Sequence, residues 1–147
     1  MSSGRIMALD VGDSRIGIAF SDPSRILASP HSIVARADGQ PSERIAALAQ
    51  TEAITLILIG LPKNMDGSTG SQARKVQTFA QEMRAHIPHM EIVFWDERLT
   101  TRQAVLLRRE GGAGKQKRAK PIDDVAAAVL LQSYLDFCRQ QVSGATP

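Results

Sequence analysis

The sequence contains few cysteines and no long apolar run. Its single cysteine, Cys138, has no partner for an intrachain disulfide, and no cysteine or histidine spacing matches a zinc site. No stretch approaches the roughly 20 apolar residues of a membrane-spanning helix, and the first residues lack the apolar centre of a signal peptide. These absences argue against a disulfide-rich secreted protein and against a membrane protein, and we expect a cytoplasmic protein.

Aromatic residues and histidines are also scarce. One tryptophan, one tyrosine and four phenylalanines offer little surface for stacking bases, so a nucleic acid would be recognised through its backbone and shape more than through its sequence. The histidines His31, His86 and His89 are scattered along the chain. They therefore suggest no histidine-based mechanism, and we interpret each as a surface or packing residue.

What the chain does contain suits one compact domain spanning residues 1–147. A length of 147 residues is enough for a single core, and 43% hydrophobic with 22% charged residues is ordinary for a globular protein. The net charge is only +3, but eight basic residues and one acid, Glu110, lie between Arg98 and Lys120. A polyanion is the partner that such a basic segment favours.

Periodicity predicts strands at residues 5–11, 16–21 and 31–35, with Pro23 and Pro30 discouraging regular structure between the last two. A helix opening at Pro41, a doubly buried strand at 54–61, a loop at 61–68, a helix at 71–86 and a buried strand at 91–95 follow. The pattern then indicates a helix at 100–109, a mobile basic loop at 111–120, a last helix from near Pro121 and a frayed tail at 141–147. This order predicts an α/β sheet with helices on both faces.

Three acids stand at the ends of predicted elements. Asp10 ends an apolar strand, Glu97 closely follows another, and Asp123 lies in the first turn of the last helix, just before three alanines. Each also has a purely structural interpretation. Asp10 could accept hydrogen bonds from turn amides, and Glu97 could form a surface ion pair with Arg98 or Arg102. Asp123 could cap the helix and interact favourably with its dipole. Taken together they favour a metal site, because a few carboxylates and a substrate phosphate complete the shell of Mg²⁺ or Mn²⁺. Two such ions would support phosphodiester hydrolysis.

The loop after the fourth strand is a second candidate element. Lys63, Asn64 and backbone amides in GLPKNMDGSTG could bind phosphate, although the same residues suit an ordinary strand-to-helix connection. The basic loop before Asp123 could contact nucleic acid or be a solvated charge run.

Two other classes of function stay open on the residues alone. A D-x-G turn between strands also occurs in actin-like ATPases and sugar kinases, but that architecture needs two such domains and the chain is long enough for one. A non-catalytic nucleic-acid-binding factor would keep the fold and the basic segment, with the acids in purely structural roles.

Four strings resemble the YqgF family, also called RuvX, of RNase H-like proteins: LDVGDSRIGIAFSDP, LIGLPKNMDGSTGSQARKVQTFA, FWDERLTT and PIDDVAAAVLLQSYLD. They occur in the family's order and spacing and cover most of the chain. The resemblance implies a mixed five-stranded sheet with three antiparallel and then two parallel strands. It also implies a nuclease, either of the 5′ end of pre-16S rRNA or of Holliday junctions, and a junction substrate would favour a homodimer.

Carried over by position, the resemblance implies that Asp10, Glu97 and Asp123 are catalytic and hold Mg²⁺ or Mn²⁺. Two alternatives remain: Asp124 beside Asp123, and Asp66 in place of Glu97, since many RNase H-like nucleases carry their second acid at the end of the fourth strand. The predicted contacts with structured RNA or branched DNA are the following: Lys63, Asn64, Arg98, Arg108, Arg109, Lys115, Lys117, Arg118 and Lys120.

Overall fold

A computed structural model describes residues 4–99 and 123–145, with side chains for residues 4–99 and 124–141. Its five strands form one sheet in the order β3-β2-β1-β4-β5. Strands β1 (Arg5–Val11), β2 (Arg15–Ser21) and β3 (Ala28–Ala35) pair antiparallel, and β4 (Ile54–Leu61) and β5 (Glu91–Asp96) extend the sheet in parallel from β1. The mixed sheet expected from the resemblance is confirmed.

Three helices cover the two faces of this sheet. Helices α1 (Pro41–Thr51) and α2 (Ser71–His86) pack on one face, whereas α3 (Asp123–Ala145) packs on the other. Alternate residues of each strand serve the two cores, because successive side chains of a strand point to opposite faces. In β1, Met7 and Leu9 face α1 and α2, while Ile6 and Ala8 face α3.

The direction of α3 follows from its contacts. The side chain of Gln132, in the middle of the helix, accepts a hydrogen bond from the Ala28 amide and donates one to the Ile26 carbonyl, both 2.9 Å long. Ala28 pairs with Ser21, at the end of the sheet where β1 begins. Leu130, nearer the helix start, reaches Gly60 towards the opposite end. The first turn of α3 therefore lies at the end of the sheet where β1 and β4 finish.

Aromatic residues join β5 to α3. The ring of Trp95 meets Tyr134 edge to face, with centroids 5.3 Å apart, and lies 5.2 Å from Phe137. The indole Nε1 of Trp95 is buried and has no hydrogen-bond partner among the described residues. Trp95 therefore reports directly on the contact between the sheet and α3.

Two predicted boundaries are wrong. Strand β3 begins at Ala28, so Pro30 lies inside it; a proline is tolerated there because β3 is the last strand of the sheet and leaves one side unpaired. The tail predicted to fray from residue 141 instead continues α3 to Ala145. Strand β5, predicted to be buried, is only half-buried from Ile92 to Asp96. The helix predicted at 100–109 and the loop at 111–120 lie outside the described residues.

Neither the helices before residue 100 nor α3 combine the length and apolar character needed to cross a bilayer.

Candidate active site

Asp10 occupies the α3 face of the sheet near the carboxyl end of β1. It follows Ile6 and Ala8 in the alternation of that strand, and both of these belong to the core beneath α3. Asp10 is only partly buried, at the point where this apolar row ends. The turn after it is closed by its own backbone, since the Gly12 amide donates to the Arg15 carbonyl at 2.9 Å.

Gly60 creates the space beside Asp10. It continues the row of Leu56 and Leu58 on the same face of β4, where a side chain would otherwise point towards α3. A Cβ atom placed on Gly60 would stand 2.7 Å from Oε2 of Glu97 and 3.2 Å from Cδ1 of Leu130. The carboxylate of Glu97 therefore lies across β4 in the volume that the missing side chain leaves free.

Asp10 lies close enough to Glu97 for its negative charge to act on the Glu97 carboxyl. Burial is the largest cause that raises the pKa of Glu97 to about 7, from an ordinary value of 4.5, and the negative charges of Asp10 and Asp96 raise it further. Glu97 itself opens a short 3₁₀ turn, Glu97–Leu99, directly after β5. At this end of the sheet, β1 supplies Asp10, β4 supplies the space at Gly60, and Glu97 follows β5.

The first turn of α3 lies at the same end of the sheet. Asp123 is its first residue, four positions before the fully buried Ala127, but the side chain of Asp123 is outside the described residues. Its neighbour Asp124 has a buried Oδ1 atom that finds no hydrogen-bond partner within the described part of the chain. Burying a carboxylate oxygen without a partner is unfavourable, so a cation or a further donor would stabilise it.

These donors have the chemistry that a hard divalent cation requires. Mg²⁺ and Mn²⁺ prefer carboxylate oxygens and retain several waters, and a partly buried pair of acids with repelling charges gains from a cation between them. Among the side chains that the structure describes, no three of the His, Cys, Asp and Glu type gather closely enough to hold a metal. Asp123 is not among those side chains.

Asp66, the alternative second acid, has a different position. It is exposed and accepts hydrogen bonds from the amide and hydroxyl of Ser68, at 2.9 and 2.7 Å, which lower its pKa. The charges that act on Glu97 come from Asp10 and Asp96, not from Asp66. Asp66 therefore orders its own loop.

Arg98 connects that loop to the site. Its guanidinium binds both carboxylate oxygens of Asp96, the shortest contact being 2.6 Å, and donates to the carbonyls of Asn64 and Met65 at 3.5 and 3.3 Å. Of the two arginines considered as partners of Glu97, Arg98 pairs with Asp96, and Arg102 lies outside the described residues. Lys63 is close enough to lower the pKa of Asp96.

The remaining predicted nucleic-acid contacts fall outside the described residues: Arg108, Arg109, Lys115, Lys117, Arg118 and Lys120. The predictions for these six residues stay predictions. Sequence reasoning did not identify the part that Gly60 plays. The only available signal was a glycine that interrupts an otherwise apolar strand, which often marks a close approach by another group.

Comparison with known proteins agrees with this geometry. Residues 4–137 match the family model described as "RuvX: Holliday junction resolvase". A protein of Halalkalibacterium halodurans named "Putative pre-16S rRNA nuclease" is 44% identical over 94% of this chain and 99% of its own length. A protein of Roseiflexus with the same name is 42% identical over 92% of this chain and 96% of its own length.

Solved structures resemble the fold at low sequence identity. RuvC of Thermus thermophilus in complex with a Holliday junction substrate superposes with a TM-score of 0.63, at 11% identity, covering 94% of this chain and 96% of RuvC. A second structure of Thermus thermophilus RuvC superposes with a TM-score of 0.59, at 10% identity, covering 93% of this chain and 96% of RuvC. The fold is RNase H-like, and the matched family model and named relatives indicate a nuclease, which hydrolyses phosphodiester bonds.

The comparisons also identify the family to which the chain belongs. The family model covers residues 4–137, and relatives above 40% identity span nearly the whole chain, so the chain belongs to the RuvX family.

Proposed function

We propose that the chain is a metal-dependent nuclease that cleaves precursor 16S rRNA near its 5′ end during ribosome assembly in the cytoplasm. The observation that carries the proposal is the proximity of two acids at the end of the sheet where α3 begins: Glu97 fills the space left by Gly60 and feels the charge of Asp10. The proteins with over 40% identity named for this activity support the choice of substrate.

In this proposal Asp10, Glu97 and Asp123 hold Mg²⁺ or Mn²⁺. A bound ion would supply positive charge for the phosphate and an acidified water for hydrolysis of one P–O bond. The chain's own contribution is placement: Gly60 leaves room for the Glu97 carboxylate, and Leu130 of α3 borders the same space. Asp124 is the alternative to Asp123, supported by its buried and unpartnered oxygen.

The substrate would be held by the basic residues that flank the acids. Lys63 and Asn64 lie on the loop beside β4, and Arg98 links that loop to the turn of Glu97. The basic residues between 108 and 120 would add phosphate contacts. Such contacts orient a substrate without reading its sequence, which suits a structured RNA.

The test uses a pre-16S rRNA leader fragment, a matched single-stranded DNA and a four-way DNA junction, each with Mg²⁺, Mn²⁺ or EDTA. We expect the leader to be cut with a divalent ion and not with EDTA, and Asp10→Asn to be inactive. Asp38→Asn serves as the control, because Asp38 is an exposed acid in a 3₁₀ turn remote from Glu97 in sequence. Binding of all substrates with no cleavage under any metal would refute the catalytic proposal.

A second function, resolution of Holliday junctions, is favoured by the description of the matched family model. A resolvase cuts two strands symmetrically and therefore needs a two-fold dimer. Symmetric junction cleavage together with a dimer in sedimentation would favour this function over rRNA processing.

A further inference from the structure

A cleft of about 330 Å³ lies on the opposite face of the sheet from the acids, between the β1–β2 turn and α2. Val11 and Phe79 give it apolar walls, and Arg36, Gln72 and Thr78 are among its polar lining. The cleft is adjacent in sequence to the candidate active site, because its lining residues Val11 and Gly12 directly follow Asp10. None of these lining residues has a part in the proposed metal site.

Arg36 is the most fixed polar group in this cleft. Its Nε donates to the Gly12 carbonyl at 2.9 Å, and its guanidinium carbon stands 5.4 Å from the centroid of the Phe79 ring. Its backbone amide also donates to the Ser14 carbonyl at 2.9 Å. The guanidinium is therefore held over an aromatic ring, and it offers a planar group on which a base could stack.

The charges of the cleft do not suit a phosphate. Arg36 and Lys75 are balanced by Asp13 and Glu82 in the same lining, and the Lys75 Nζ atom lies 3.5 Å from Asp13. An uncharged planar ligand with both donors and acceptors fits such a lining better than an anion does. Unpaired RNA bases have this character, and proteins commonly stack them on arginine planes and bind their edges with polar side chains.

The distance to the acids fits a neighbouring nucleotide. Two residues of extended chain separate Asp10 from Gly12, about 7 Å. A stacked strand advances about 3.4 Å per nucleotide. A strand whose scissile phosphate lies at Asp10 and which passes around the end of β1 to the opposite face of the sheet would bring a base a few nucleotides away to Arg36.

We propose that this cleft is a base-binding subsite, in which the guanidinium of Arg36 stacks against one unpaired RNA base flanking the cleavage point while Gln72 and Thr78 contact the edge of that base. The inference rests on the proposed nuclease function. It adds a preference for an unpaired nucleotide at one defined position beside the scissile phosphate.

The test is a series of leader RNAs in which one nucleotide at a time is made abasic along the strand around the cleavage point. Affinity is measured by fluorescence anisotropy with the wild-type protein in EDTA, and cleavage is measured separately with metal. We expect one position at which loss of the base weakens binding about tenfold. In Arg36→Lys, which keeps the charge but lacks the plane, that position should no longer matter.

The matched control is Arg84→Lys, the same chemical change on α2 at a residue that does not line the cleft. Gln72→Ala provides a second route if Arg36→Lys folds poorly, and should shrink the same positional effect. If the RNA is cleaved but no abasic position weakens binding, the subsite proposal is wrong and the nuclease proposal stands. The same holds if the abasic effect is unchanged in both Arg36→Lys and Gln72→Ala. A positional binding effect without cleavage would support the subsite and refute the catalytic proposal.

Discussion

The carboxylate of Glu97 fills the place of the side chain that Gly60 lacks, with Oε2 only 2.7 Å from the position of a Cβ atom on that glycine. The relationship joins two parallel strands, because Gly60 pairs with Trp95 and Glu97 follows two residues later. The position of an acid in this site therefore depends on a residue that has no side chain.

The first prediction concerns Gly60→Ala. The added methyl group cannot coexist with Glu97 where it stands, but the contacting atoms belong to a flexible side chain, so the fold should lose only about 1 kcal/mol of stability. We expect cleavage of the leader RNA to fall about 100-fold, because a displacement of about 1 Å in a catalytic group has that effect. The measurements are kcat and the free energy of unfolding.

Leu130 provides the control for this variant, since it is the other side chain near the new methyl group. Adding Leu130→Val to Gly60→Ala relieves the contact with α3 but not the contact with Glu97. Activity should remain low in the double variant. Recovery would mean that a shifted helix, and not a shifted acid, caused the loss.

The second prediction concerns pH and the metal-free protein. The pKa of Glu97 is about 7 when folded, against an ordinary value of 4.5, so the folded state binds this proton more tightly than the unfolded state does. Stability should therefore fall as pH rises from about 4.5 to 7, and the loss should be complete above that range. Glu97→Gln removes the ionisation. In EDTA at pH 8 it should be more stable than wild type by on the order of 2 kcal/mol.

Thermal unfolding in EDTA at pH 5 and pH 8 measures this difference. Near pH 5 wild type and Glu97→Gln should melt alike, and at pH 8 the variant should melt several degrees higher while remaining unable to cleave RNA. Glu91→Gln, an exposed glutamate at the other end of β5, should show no such pH-dependent gain. Equal melting of all three proteins at pH 8 would contradict the interpretation of Glu97 as a repelled, buried acid.

The third prediction separates Asp123 from Asp124. A ligand that binds only the folded state raises its stability, by about 2.7 kcal/mol at a concentration 100 times its dissociation constant. We expect Mn²⁺ to raise the melting temperature of wild type and of Asp124→Asn, but not of Asp123→Asn. The opposite pattern would transfer the ligand role to Asp124, whose buried Oδ1 would then be explained.

The fourth prediction concerns Lys63 and Arg98. Replacing a residue that binds one phosphate lowers the slope of log affinity against log salt by about 1. Lys63→Ala should do this. Arg98→Ala should change the slope less and cleavage more, because Asp96 already pairs with this guanidinium and the carbonyls of the loop depend on it.

Asp96→Asn decides how Arg98 acts. If Arg98 mainly holds the loop, loosening it from Asp96 should reduce cleavage. If its main role is to bind phosphate, releasing it from Asp96 should tighten the binding of RNA.

Regular periodicity allowed much of the fold to be predicted. The bounds of β4 and α2 follow from an apolar run and from a helical row of core residues, and both are confirmed. The start of β3 could not be found in the same way, because Pro30 normally argues against a strand and is tolerated only at an edge. Which strand is the edge depends on the whole topology, and no local pattern contains that information.

The sequence predicted candidate acids, but not how the fold brings two of them close together. An acid at the end of an apolar strand is costly enough to be noticed, and this identified Asp10 and Glu97. The proximity of the two arises from β4 lying between β1 and β5, and the space from Gly60. Likewise the contact of Arg36 with Phe79 joins the end of β3 to α2, residues that no sequence spacing relates.

The contact of Trp95 with Tyr134 and Phe137 allows the docking of α3 to be followed by intrinsic tryptophan fluorescence. Trp95 is the only tryptophan in the sequence, so all indole emission comes from one point, two residues before Glu97 and against α3. Undocking of that helix would expose the indole to water and shift its emission to longer wavelength. The intrinsic fluorescence of the unlabelled protein therefore follows the assembly of the site in real time.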